Sequence, residues 1–134
     1  MRHTLDHFQR LESIFELDVY VERKATAIDA TGTVFSDVGK DSEAVQVHRR
    51  AIEFLSALAH GNPEVFRYRE RLAVARSHLG QVLHKLDEDV EAAEQFRNCI
   101  EIRPESLKAR YRLGEVYHQL GRRSQMNKDG TDLL

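Results

Sequence analysis

A chain of 134 residues with 41% hydrophobic and 31% charged residues, two prolines and no tryptophan has the size and make-up of one soluble helical domain. A net charge of −2 argues against a dedicated nucleic-acid binder, and the single cysteine, Cys99, excludes an internal disulfide framework and fits a reducing compartment. No apolar run approaches the ~20 residues of a membrane span, and the opening Met1-Arg2-His3-Thr4-Leu5-Asp6-His7 lacks the apolar core of a signal peptide, so a cytoplasmic location is expected.

In chain order, Thr4 is placed to cap a first helix, with Leu5, Phe8, Leu11 and Phe15 at helical spacing. Residues 17–21 are rich in β-branched and aromatic side chains and carry the weakest helical signal. Gly39 ends this first long segment, and Asp41 or Ser42 caps the next. There Ala44, Val45, Ala51, Ile52, Leu55 and Leu58 form the buried stripe. Gly61-Asn62-Pro63 stops that helix, with Asn62 as cap and Pro63 in the first turn of another running to about Leu86, roughly 36 Å at 1.5 Å per residue. Residues 87–89 turn the chain, 90–102 form a fourth helical segment, and Pro104 opens a final helix over 104–120. The apolar pattern fails after Gly121, so 122–134 is expected to be a frayed tail.

Two internal periods run through this text. Leu79-Gly80 returns as Leu113-Gly114, 34 residues later. Tyr20, Glu22, Arg23, Ala25, Ala27, Gly32 and Val34 return as Tyr68, Glu70, Arg71, Ala73, Ala75, Gly80 and Val82, and Glu43, Ala44 and Ile52 as Glu91, Ala92 and Ile100, all at an offset of 48. One offset shared by two helices and their turn marks two copies of one helix pair. Glycine inside a helix costs about 1 kcal/mol against alanine, so Gly80 and Gly114 are expected where a neighbouring helix comes close. Ala92 is small for the same reason, and Leu79, Leu83, Phe96 and Ile100 fill the seam.

The run Leu72, Leu79-Gly80, Leu83, Ala92, Phe96, Cys99, Pro104, then Leu113-Gly114, Tyr117 and Gly121, resembles the tetratricopeptide repeat. The stretch Pro63, Tyr68-Arg69, Leu72-Ala73 and Leu79-Gly80 looks like the long-helix bacterial type found beside signalling domains such as serine/threonine kinases. The resemblance implies an all-α domain over 1–121, built of antiparallel helix hairpins (about 15–60 and 63–102, then the helix 104–120) stacked as a short right-handed solenoid. It also implies that the first helix of each pair lines a concave ligand face. By matched position that lining is Asp29, Thr33 and Ser36, then Ser77, His78, Gln81 and His84, then Lys108, Tyr111, Arg112, Glu115 and His118. The peptide-binding set expected from it is Ser77, His78, Gln81, His84, Lys108, Tyr111, Arg112 and Glu115. Family members that grip a terminal carboxylate use a Lys, Asn and Arg set. Lys108 and Arg112 match it, whereas Asp29, Thr33 and His78 depart from it, so a solvated basic face is the more economical account.

Charge is uneven: residues 1–45 carry nine acids and five bases, and residues 103–123 six bases and two acids. A basic end suits an acidic peptide. His3 and His7 have metal-ligand spacing on a helix but no third ligand nearby, and no metal or cofactor is assigned. His84 and His118 occupy equivalent places 34 residues apart. Cys99 reads as a buried, inert thiol. No phosphate loop, nucleophile elbow or carboxylate pair suggests catalysis. The expected function is a non-catalytic scaffold or adaptor for a protein or peptide, without nucleic acid or membrane. The alternative is a self-association module, a homodimer through an open solenoid end, or a repeat segment of a larger signalling protein.

Overall fold

Four short turns divide the described residues into five helices. A computed structural model describes the backbone of residues 2–129 and the side chains of residues 4–126. The helices are α1 (Arg2–Asp37), α2 (Asp41–Gly61), α3 (Phe66–Lys85), α4 (Asp89–Ile102) and α5 (Leu107–Asp129), with no strand among the described residues. None of them is long and apolar enough to cross a membrane.

Each helix packs on the next. Matched contacts give the directions: Ser36 meets Asp41 and Asp29 meets His48, so α1 and α2 are antiparallel. His84 meets Asp89 and Gly80 lies against Phe96, so α3 and α4 are antiparallel too. α1 and α3 touch side by side, as do α3 and α5. Two apolar clusters fill the space between. One joins Ala44, Val45, Leu79, Leu83, Ala92, Phe96 and Val116; the other joins Ala25, Leu55, Leu58, Tyr68 and Ala75.

The first reversal needs Gly39, whose φ of +83° is disfavoured for any residue with a β-carbon. Forty-eight residues on, Asp87 takes the same left-handed conformation at φ +63°. The turns repeat in their side chains as well. Ser36 donates to Asp41 at 3.2 Å, and at the matching place His84 meets Asp89 at 2.8 Å. A cation from the next helix then closes each turn, Lys85 on Asp41 at 3.1 Å and Arg123 on Asp87 at 2.8 Å.

Several boundaries differ from the expectation. α1 is one helix from Arg2, so Thr4 is inside it rather than capping it. Asn62 closes α2, its Nδ2 donating to the Leu58 carbonyl, and Pro63 lies in the turn before α3, which starts three residues later at Phe66. Pro104 likewise precedes its helix. Ser106 caps α5 by accepting from the Ala109 amide at 3.3 Å. In both places proline bends the connection and a following residue starts the helix. α5 does not stop at Gly121: it continues to Asp129, held by Arg123, which donates to the Asp87 carbonyl at 3.1 Å. Residues 130–134 of the expected tail lie outside the described residues. Gly114 and Tyr117 are also exposed, because among the described residues no second helix covers them as α4 covers their counterparts Gly80 and Leu83.

The copies differ where their neighbours differ. Tyr68 and Val82 are each 3% exposed, while their partners Tyr20 and Val34 are 62% and 60% exposed. α3 has helices packed on two sides, whereas α1 packs only on α2 and α3 among the described residues.

Candidate functional site

The ligand-facing expectation concerns the side on which α1, α3 and α5 lie next to one another. α1 and α3 are tied there by three polar rungs. At the first, Glu22 accepts two bonds from Arg67, at 2.9 and 2.8 Å, and one from Arg71 at 2.7 Å. At the second, Asp29 Oδ2 meets His78 Nδ1 at 2.7 Å. At the third, Lys85 Nζ donates to Ser36 Oγ at 2.8 Å. The rungs fall seven residues apart on both helices (22, 29, 36 and 71, 78, 85), which is two helical turns. A constant offset means that α1 and α3 run parallel.

The electrostatics follow from these bonds. The Arg67 hydrogen bond, ahead of that from Arg71, holds the Glu22 carboxyl below its ordinary range despite burial. Burial pushes Asp29 upward, but hydrogen bonds from His48 and then His78 outweigh it, so its pKa also ends low. Asp29 is therefore a carboxylate, and a carboxylate only accepts. Each Nδ1–H donates to it, His48 to Oδ1 at 2.6 Å and His78 to Oδ2 at 2.7 Å. His48 is 1% exposed, and its Nε2 is buried without a hydrogen-bond partner. Asp29, expected in the ligand lining, is thus buried and turned toward the two imidazoles.

Beside this triad, Ala73, Val74, Ser77, His78 and Gln81 of α3 face Cys99, Arg103, Ser106, Lys108 and Ala109 across a cavity of about 170 Å³. A second cavity of about 160 Å³, lined by Thr33, Ser36, Asp37, His48, His78, Gln81 and Lys85, adjoins it through His78 and Gln81. Four expected residues, Ser77, His78, Gln81 and Lys108, therefore share one cavity. Arg112 and Glu115 follow Lys108 at helical spacing and are half-buried, but they do not line that cavity. Tyr111 belongs to a different stripe, with Leu107, Gly114 and His118, which is exposed on the open outer side of α5. His84 is committed to the buried carboxylate of Asp89. Arg123 Nη1 stands 3.3 Å from the other Asp89 oxygen, a charge partner without hydrogen-bond alignment.

Cys99 is sealed at the cavity's base. Burial pushes its thiol up to about 11, and Sγ donates to the Ala73 carbonyl, so it is not a nucleophile near neutral pH. The His3 side chain lies outside the described residues, so the His3/His7 pair has no geometry to report.

The expected lining did not include Arg103 and Ser106, which come from the connection before α5. It also missed His48. The signal was present in the offset of 48: Asp29 and His48 stand where the second copy has Ser77 and Phe96, and His78 where the first has Ala30. No family model matches this chain, and a search of curated proteins finds no match either.

Proposed function

We propose that this protein is a tetratricopeptide-like solenoid that binds an acidic protein or peptide segment in the groove between α3 and α5 and performs no chemistry. The observation that carries this reading is the cavity shared by Ser77, His78, Gln81 and Lys108, with Arg103 at its edge. Its volume of about 170 Å³ is below the ~300–1,000 Å³ usual for small-molecule sites and suits one inserted side chain. The six bases of residues 103–123 favour an acidic ligand. Fluorescence anisotropy against a library of short acidic peptides tests it. Lys108→Glu with Arg112→Glu abolishes binding and leaves helicity and Tm nearly unchanged, and affinity falls as salt rises. Arg50→Glu, on the exposed side of α2, leaves binding intact. Equal binding by the double variant removes the groove from consideration. Arg49 is unsuitable as a control, because it pairs with Glu91 of α4.

One observation favours a second reading, self-association. α1 is about 54 Å long and α2 about 32 Å, so roughly the first two-fifths of α1 runs past the end of α2. That arm exposes Leu5, Phe8, Leu11, Ile14, Phe15 and Leu17. At roughly 100 Å² apiece, two copies would cover about 1,200 Å², the lower edge of stable interfaces. Light scattering over a dilution series decides: a monomer at every concentration ends this reading, and a dimer broken by Phe8→Glu with Phe15→Glu sustains it.

A further inference from the structure

We infer that Asp29, His48 and His78 form a binding site for a divalent first-row transition ion, with zinc the best match. Three residues far apart in sequence, on α1, α2 and α3, each offer a ligand atom, and these atoms lie within 4.8 Å of one another. Two imidazoles and one carboxylate suit zinc, cobalt, nickel or copper, and an open fourth position is usual when the protein supplies three ligands.

The internal repeat shows that packing alone does not require these side chains. The second copy builds the same helix crossing from Gly80 and Phe96, with Ser77 in the place of Asp29. The first copy has Gly32, His48 and Asp29, and its Ala30 is answered by His78. All three exchanges introduce a ligand type, and all three converge on one point. Nor is His48 a fully satisfied core histidine, since its Nε2 is sealed without a partner.

The present N···O separations of 2.6 and 2.7 Å are hydrogen bonds. Ligand atoms on a tetrahedral ion with bonds of about 2.0–2.1 Å stand roughly 3.3 Å apart, so the groups must open by about 0.6 Å. The ion takes the place of the two Nδ1 protons, and each ring stays a neutral imidazole by carrying its proton on Nε2 instead, while Asp29 stays a carboxylate. His78, about a third exposed, gives the site its freedom to open and its route in. The 160 Å³ cavity beside both rings has room for a water on the ion.

The test is titration of the full chain, freed of metal with chelator, by Co²⁺ and then Zn²⁺. The expected result is one equivalent of cobalt with the intense visible bands of a tetrahedral ion, displaced by zinc, and a Tm raised by several degrees in zinc. His78→Ala raises the Kd at least about 100-fold. Should that variant fold poorly, Asp29→Ser with His48→Phe serves instead, because it installs the residues of the second copy; it stays folded and gives neither bands nor Tm shift. His7→Ala changes nothing. The inference is overturned if wild type shows no bands and no Tm shift at millimolar metal, if both triad variants bind as wild type does, or if His7→Ala removes the binding.

Discussion

The imidazole of His48 stands in the space that a β-carbon on Gly32 would need, with Cε1 2.6 Å and Nδ1 2.8 Å from that position. Phe96 holds the same relation to Gly80, its Cζ at 2.9 Å. In each hairpin a ring from the second helix takes up the volume that glycine leaves on the first. The crossing therefore explains a residue whose helix propensity alone would count against it.

Gly80→Ala is accordingly expected to destabilise. The Phe96 ring cannot yield at its near edge without disturbing Leu79, Leu83 and Ala92 of the same core, and overpacking of this kind costs about 1–3 kcal/mol. Gly114, its counterpart on α5, has open space around it. Gly114→Ala should instead stabilise by up to about 1 kcal/mol through helix propensity. Thermal melts of the two variants should move in opposite directions, each by roughly 4 °C per kcal/mol for a chain of this size. A shared direction would mean that the two glycines do not differ in their neighbours.

In metal-free protein, His48→Phe alone leaves the buried Asp29 carboxylate with one histidine instead of two, and stability should fall. Adding Asp29→Ser removes the stranded charge and recreates the pairing of Ser77 with Phe96. The double variant should exceed wild type by about 1–4 kcal/mol, as happens when a buried ionic group gives way to apolar packing. A denaturant double-mutant cycle measures the coupling; additive effects would show that Asp29 and His48 do not act as a pair.

Glu22 gives a pH dependence of known sign. Its folded pKa lies below the unfolded value of about 4.3, chiefly through Arg67, so its stabilisation is present above that value and is lost as pH falls through the lower folded pKa. Glu22→Gln should lower Tm at pH 7 and flatten the loss of Tm between about pH 5 and 3. The effect will be modest, since both arginines are half-exposed. Parallel Tm curves for the two proteins would contradict it.

Gly39→Ala separates conformation from space. Nothing lies within 4 Å of the added methyl group, yet φ there is +83°. A loss of about 1 kcal/mol is expected from the left-handed backbone alone, read from the denaturation midpoint. An unchanged midpoint would mean that the turn relaxes to another conformation.

What could be read beforehand was what repeats locally. The hairpins, the turn at Gly39, and the burial of Ala44, Ala92, Leu79 and Phe96 follow from spacing along one helix or across one turn. Helix ends at Asn62 and Pro104 were misplaced because proline is equally at home in a bend and in a first turn; the capping bond of Ser106 marks the start after Pro104, and no side-chain cap marks the one after Pro63. Tyr20, Val34 and Gly114 were legible as repeat positions but not as exposed ones, since exposure depends on whether a neighbouring helix exists. Of the site, Ser77, His78, Gln81 and Lys108 came from the tetratricopeptide resemblance, carried over by matched repeat position. The Asp29–His48–His78 triad did not, because it needs three helices at their final distances.

The rungs between α1 and α3 bear on mechanics. Glu22, Asp29 and Ser36 engage Arg71, His78 and Lys85 at one constant offset of 49 residues. A slip of α1 by one helical turn, about 5.4 Å, toward the end of α3 would break all three at once, since Glu22 and Asp29 would then face Ala75 and Val82 and Ser36 would pass the last turn of α3. A pull along the helix axis is shared by the rungs in parallel, whereas a force prying the helices apart from one end opens them one after another. The groove floor should therefore be stiff to shear and soft to peeling.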